Sequence, residues 1–137
     1  MVPQFWYEAT RHEDSISSGI ADVSFVQKVL SGSRWNLGEA RHGWMELKHK
    51  SMKPVRDKTI VRLPHYTDEQ RAFLMAKGKA GMSFLFLQLE RDYLLFDHES
   101  AQQVGKVNTA DLYDLAVYVS KGKLDGAELH NAIHTFG

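Results

Sequence analysis

The stretch His42-Gly43-Trp44-Met45-Glu46-Leu47-Lys48-His49-Lys50 reads as a strand, and the rest of the chain arranges itself around it. Side chains alternate across a strand, so Glu46 and Lys48 share one face while Met45 and Leu47 turn to the opposite, apolar one. A carboxylate and an ammonium side by side can hold a divalent cation and a positive charge next to a phosphate. What the neighbouring segments add decides whether the strand is so used.

Working upstream, Ile20-Ala21-Asp22-Val23-Ser24-Phe25-Val26 reads as a second strand, rich in β-branched and aromatic residues. Asp22 is out of place in it. A carboxylate in an apolar strand is costly unless it is paired or binds a metal, although on an edge strand it could simply face water. The Gly/Ser/Asn-rich run from Ser31 to Gly38 returns the chain toward Glu46, so the two strands are expected to pair as an antiparallel hairpin. Before them, residues 1–18 read as a short polar lead-in with an aromatic start, Phe5-Trp6-Tyr7, packed on the domain edge, and 15–19 as a turn.

Downstream, Lys50 to Lys58 is a polar, basic loop and Thr59-Ile60-Val61-Arg62-Leu63 a short strand candidate stopped by Pro64. Thr67 is an N-cap, Asp68 and Glu69 suit the positive end of a helix, and Gln70 completes a capping box. That helix ends at Gly78 or Gly81. Met82 to Leu89 is almost continuously apolar and is expected to be a central strand covered on both faces. Arg91-Asp92 turns into a further strand, Tyr93 to Phe96. The last third reads as helical: Glu99 to Val104, a helix capped by Thr109 with apolar positions 112, 115, 116 and 119, and Asp125 to Ile133. The expectation is one α/β domain over 1–137, with a mixed central sheet flanked by helices.

The composition is that of a soluble globular chain, 43% hydrophobic and 25% charged over 137 residues. Lys+Arg and Asp+Glu balance at 17 each, so the total charge points to no partner. Its distribution does. Seven Lys and Arg lie between Arg41 and Arg62, with only Glu46 and Asp57 against them. Such a region meets phosphates, or is a solvated basic loop. The absence of cysteine excludes disulfides and thiolate zinc sites and fits an intracellular protein. No signal peptide is read at the N-terminus, and the longest apolar run, Phe84-Leu85-Phe86-Leu87, is too short to span a membrane.

The candidate chemistry follows from Asp22, Glu46 and Lys48. Two carboxylates on neighbouring strands, facing the same way, repel each other until a divalent cation removes the cost, and their hard oxygens suit Mg²⁺ or Mn²⁺. Such an ion lowers the pKa of a bound water and acts as a Lewis acid on a phosphoryl oxygen. Lys48 can hydrogen-bond the attacking water or the phosphate and stabilise negative charge in the transition state. In-line hydrolysis of a phosphodiester is the expected reaction.

Gly19-Ile20-Ala21-Asp22-Val23, Gly43-Trp44-Met45-Glu46-Leu47-Lys48 and Thr67-Asp68-Glu69-Gln70-Arg71 together resemble the PD-(D/E)xK nuclease superfamily, most closely its small phage virus-type replication-repair (VRR-NUC-like) members. The resemblance covers residues 11–96, and the C-terminal helices of 97–137 match nothing by residue. It implies a restriction-endonuclease-like fold with Asp22 and Glu46 as metal ligands, joined by the backbone carbonyl of Leu47. Lys48 would be the catalytic lysine and Gln70 an auxiliary catalytic residue. Glu13, in Arg11-x-Glu13, is a further candidate ligand, with Glu8 an alternative. Ala21 stands where the family has Pro, which shapes the turn and does no chemistry. The function so implied is a Mg²⁺-dependent endodeoxyribonuclease, selective for branched or Holliday-junction-like DNA. It would serve phage replication, repair or recombination in the cytoplasm of the infected bacterium. A homodimer is expected by analogy, since two strands need two sites. Lys50, Lys53, Arg56, Lys58 and Arg62 would hold phosphates.

Other readings compete. Gln70 can be only a capping residue, and Lys48 an exposed strand lysine. His130 and His134 are spaced i, i+4 but lack the acid of a zinc motif, so they read as a helix face. Trp35 and Trp44 could stack on a base but pack more simply at a strand edge. A non-catalytic nucleic-acid-binding module on the same fold is the alternative function.

Overall fold

The computed structural model describes residues 4–11, 21–31, 34–35 and 41–137. Among these residues seven strands form one mixed sheet: β1 (Gln4–Arg11), β2 (Val23–Ser31), β3 (Arg34–Trp35), β4 (Arg41–Lys50), β5 (Met82–Leu89), β6 (Asp92–Asp97) and β7 (Tyr118–Ser120). The helices are α1 (Asp68–Ala80), α2 (Thr109–Leu115) and α3 (Gly126–Phe136), with a 3₁₀ turn at Ser100–Gln103. The sheet order is β1-β2-β4-β5-β6-β7, with β3 on β2. All neighbours are antiparallel except β4 and β5, which are parallel. A parallel pair needs a crossover, and α1 supplies it.

β4 and β5 form the centre. Alternation along β5 sends Leu85, Leu87 and Leu89 to one face and Phe84 to the other, and all four are fully buried. The first face packs beneath α1 and the loop leading to it, with Leu74, Val61, Leu63 and Tyr66 joined by Val104 and Leu112. The second packs beneath α3, where Phe84, Phe25, Met82 and Leu95 meet Ala132 and Ile133. The result is a three-layer α/β/α arrangement. The expected mixed sheet flanked by helices is therefore observed, with β5 covered on both faces. Among the described residues no helix is long and apolar enough to cross a membrane.

Local sequence explains α1 well. The Thr67 hydroxyl accepts from the Gln70 backbone N–H and the Gln70 side-chain Oε1 accepts from the Thr67 N–H, a complete capping box. The β5–β6 connection turns on Glu90, which takes φ 55°, and Glu90 N–H donates to the Lys50 carbonyl at 2.9 Å. β2 and β4 pair antiparallel as expected, Val23 opposite Met45 and Phe25 opposite Gly43. The close approach of the Phe25 ring requires glycine there, because a Cβ at Gly43 would stand 2.5 Å from it.

Four segments differ from expectation. The lead-in over residues 4–11 is an edge strand, paired along its whole length with β2. Residues 59–63 form no strand. Val61 and Leu63 do alternate into the core, but only Ile60 makes a bridge, to Asn108, and Val61 N–H is taken by the Val107 carbonyl. The helix expected to be capped by Thr109 is capped by Asn108, whose side chain accepts from Asp111 N–H. It stops at Leu115, because Val117 N–H is captured by the Leu95 carbonyl and 118–120 join the sheet as β7. Finally, Leu47 is 43% exposed, not buried on an apolar face, while Glu46 is 1% exposed. Of the two neighbours of Glu46, Met45 packs against the cluster under α3 and Leu47 does not reach it. The expected turn over 15–19 lies outside the described residues.

Candidate active site

Asp22 immediately precedes β2. Continuing the β2–β4 register by one step places it opposite Glu46, and directly opposed residues of an antiparallel pair share a face. Asp22 Oδ2 also accepts the backbone N–H of Leu47 at 2.9 Å, which ties the carboxylate to β4 itself. Glu46 is thus met by three groups. Asp22 lies across the strands, Lys48 Nζ is 3.2 Å from Oε1, and Gln70 Nε2 donates to Oε1 at 3.1 Å. The second oxygen, Oε2, is buried with no hydrogen-bond partner among the described residues.

Burial pushes the Glu46 carboxyl up to about 7, from an ordinary value of 4.5. The Asp22 charge adds to the rise, and the Lys48 ammonium opposes it without cancelling it. A buried carboxylate facing a second carboxylate, with one oxygen unpartnered, is chemically suited to a divalent cation. The donors at hand are the carboxylates of Asp22 and Glu46, with the backbone carbonyl of Leu47 as the further one expected. That suits Mg²⁺, which usually keeps several waters and takes one or two carboxylates. Among the described residues no group of three His, Asp or Glu side chains gathers. The expected further ligand Glu13 lies outside the described residues, as do the side chains of Glu8 and Trp35.

Gln70 uses both ends of its side-chain amide. Its Oε1 closes the capping box and its Nε2 reaches Glu46, so the start of α1 is fixed to the site by one side chain. Lys48 is equally constrained, donating to the His65 carbonyl at 3.0 Å as well as pairing with Glu46. Two residues on, Lys50 Nζ donates to the Arg62 carbonyl at 3.0 Å. The two lysines on one face of β4 therefore bind the chain returning toward α1. Between them lies a hollow of about 190 Å³, bordered by Lys48, Lys50, Arg62, His65 and Tyr66.

The remaining basic candidates are spread out. Arg56, Lys58 and Arg62 are exposed on the 51–67 loop. Lys53 sits apart in a brace: its Nζ is 3.5 Å from Asp92 Oδ2 and 5.0 Å from the centre of the Tyr113 ring. Trp44 packs edge-on against Phe73 at 5.0 Å, with the Lys77 ammonium 5.6 Å from its ring. The two histidines of α3 are used separately, His130 through its carbonyl to Gln27 and His134 beside Arg41.

Sequence reasoning missed the clamp that holds the returning chain. Arg71 is 9% exposed, and its guanidinium lies 4.2 Å from the centre of the Tyr66 ring. It donates to the Tyr66 carbonyl at 3.1 Å and to the Val104 carbonyl at 2.6 Å, while the Tyr66 hydroxyl donates to the Ala101 carbonyl. The only local signal, an Asp68–Arg71 pair at i, i+3, describes an ordinary exposed ion pair. The two carbonyls that accept from Arg71, those of Tyr66 and Val104, come from segments far apart in sequence.

No protein-family model matches this chain, and no curated protein matches it.

Proposed function

We propose that this chain is a divalent-metal-dependent DNA endonuclease that hydrolyses phosphodiester bonds. The observation that carries the reading is the environment of Glu46: a fully buried carboxylate opposite Asp22, held at one oxygen by Lys48 and Gln70 and, among the described residues, without a hydrogen-bond partner at the other. Leaving a carboxylate so placed is expensive unless a cation relieves it.

Asp22, Glu46 and the Leu47 carbonyl would hold the ion. A bound Mg²⁺ or Mn²⁺ supplies Lewis-acid polarisation of the phosphoryl oxygen and a water of lowered pKa. The chain's own residues position everything else. Gln70 fixes the orientation of Glu46. Lys48, steadied by the His65 carbonyl, presents an ammonium where negative charge grows on the phosphate. Lys50 and Arg62 border the adjoining hollow and offer charge to the flanking phosphates. Preference for branched DNA, action as a homodimer and a place in phage replication, repair or recombination in the bacterial cytoplasm are proposed from the resemblance of the three motifs.

The test is cleavage of labelled flap, four-way-junction and single-stranded DNA with Mg²⁺ or Mn²⁺. The wild type should cut at least one of them, a chelator should stop it, and Glu46→Ala and Lys48→Ala should each abolish it. Unchanged cleavage in both variants would show that the site lies elsewhere. Tight binding by the wild type with no cleavage on any substrate would establish the non-catalytic binding module instead.

A further inference from the structure

Between β4 and α1, the segment Met52-Lys53-Pro54-Val55-Arg56-Asp57-Lys58-Thr59-Ile60 carries apolar side chains that the fold leaves in water. Val55 is 95% exposed, Met52 69% and Ile60 37%. Single exposed apolar residues are ordinary. These three stand on one loop, interleaved with Lys53, Arg56 and Lys58.

Both feet of the loop are fastened. At the first, Lys53 N–H donates to the Glu90 carboxylate at 2.9 Å and Lys53 Nζ reaches Asp92. At the second, Val61 N–H donates to the Val107 carbonyl and Ile60 bridges Asn108. A turn within the loop is closed by Thr59 N–H on the Arg56 carbonyl at 3.1 Å. Pro54 removes one backbone freedom next to Val55. The apolar tip is therefore presented on a braced frame, at low entropic cost to a partner.

The position of the frame relative to the site is set by β4. The loop leaves the strand that bears Glu46 and Lys48, and it returns along that strand on the lysine bonds to Arg62 and His65. Its first foot, Lys53, is seven residues beyond Glu46, at most about 23 Å along an extended chain. That is at most about seven base steps at 3.4 Å each along one strand. We infer that Val55, with Met52 exposed three residues earlier on the same loop, is an apolar wedge that inserts between bases where a duplex branches, while Arg56 and Lys58 hold the flanking phosphates. This inference rests on the nuclease reading and names how its substrate is chosen. Proteins that unstack DNA use such aliphatic wedges, and a step already interrupted by a branch is the least costly to open. The interleaved cations favour DNA over a protein surface as the partner.

The test uses the full chain in chelator, so that no cutting occurs, on duplexes bearing 2-aminopurine at a flap or junction. Saturating wild type should raise the fluorescence at the branch and bind the branched DNA more tightly than the unbroken duplex. Val55→Ser should lose both the rise and the preference, yet keep duplex affinity within about twofold and an unchanged melting temperature, as expected of a fully exposed side chain. Val55→Leu should retain the signal. A Val55→Ser protein that keeps the fluorescence rise and the branch preference overturns the wedge and leaves the nuclease reading intact. The wedge is equally overturned if Val55→Ser changes only the oligomeric state. A wild type that binds no DNA overturns both readings.

Discussion

Glu46 is the residue on which the molecule's stability and its proposed chemistry pull in opposite directions. Its carboxyl is raised to about 7 against an ordinary 4.5, so the folded state holds the proton more tightly than the unfolded chain. Stability tied to that proton is therefore complete below about pH 4.5 and lost as the pH rises through about 7. Glu46→Gln keeps the shape and removes the charge. In metal-free buffer at pH 8 it should be more stable than the wild type by about 1–3 kcal/mol, and the two should converge by pH 4.5. Urea unfolding at both pH values measures this, and a variant less stable than wild type at pH 8 would contradict it. Gln70→Ala breaks the capping box and the bond to Glu46 together. The lost bond to the Thr67 N–H is worth about 0.5–1.5 kcal/mol, read by the same unfolding experiment, and cleavage should fall as well. Much of this candidate site is legible in the sequence because Glu46 and Lys48 are polar residues in a strand, and Asp22 a polar residue directly before one, where apolar ones belong. The dual use of Gln70 is legible only as two competing readings, since one side chain's two ends answer to different elements. The Tyr66–Arg71 clamp is not legible at all, because its acceptors are backbone carbonyls.

At the scale of elements, α1 joins the site to the core. Its Gly78 faces His98, and a Cβ there would stand within 2.4 Å of three side-chain atoms, two of them Cβ and Cγ near the backbone. Helix propensity alone favours alanine over glycine by about 1 kcal/mol. Crowding against His98 should reverse the sign, so Gly78→Ala is expected to lower stability by about 1–3 kcal/mol. A rise in melting temperature would show that α1 packs more loosely there. The elements whose own residues settle them, α1 with its capping box and β5 with its apolar run, follow directly from sequence. β1 and β7 do not. Each becomes a strand because an open edge is available to it, and Tyr118-Val119-Ser120 is too short to announce itself within a helical pattern. Val61 and Leu63 show the converse, strand-like alternation without a ladder partner.

For the whole molecule, the three-layer arrangement places Asp22, Glu46, Lys48 and Gln70 together from three segments of the chain. The cost of burying Glu46 is distributed through β2, β4 and α1, so the site and the fold are not separable. The claim on which this account rests is that Asp22 and Glu46 share a divalent ion. Crystals saturated with Mn²⁺ and measured for anomalous scattering test it most directly. The expected result is one ion per chain bonded to carboxylate oxygens of Asp22 and Glu46, at about 2.0–2.6 Å. An Mn²⁺-saturated crystal with no ion between them, and the Lys48–Glu46 pair undisturbed, would contradict it.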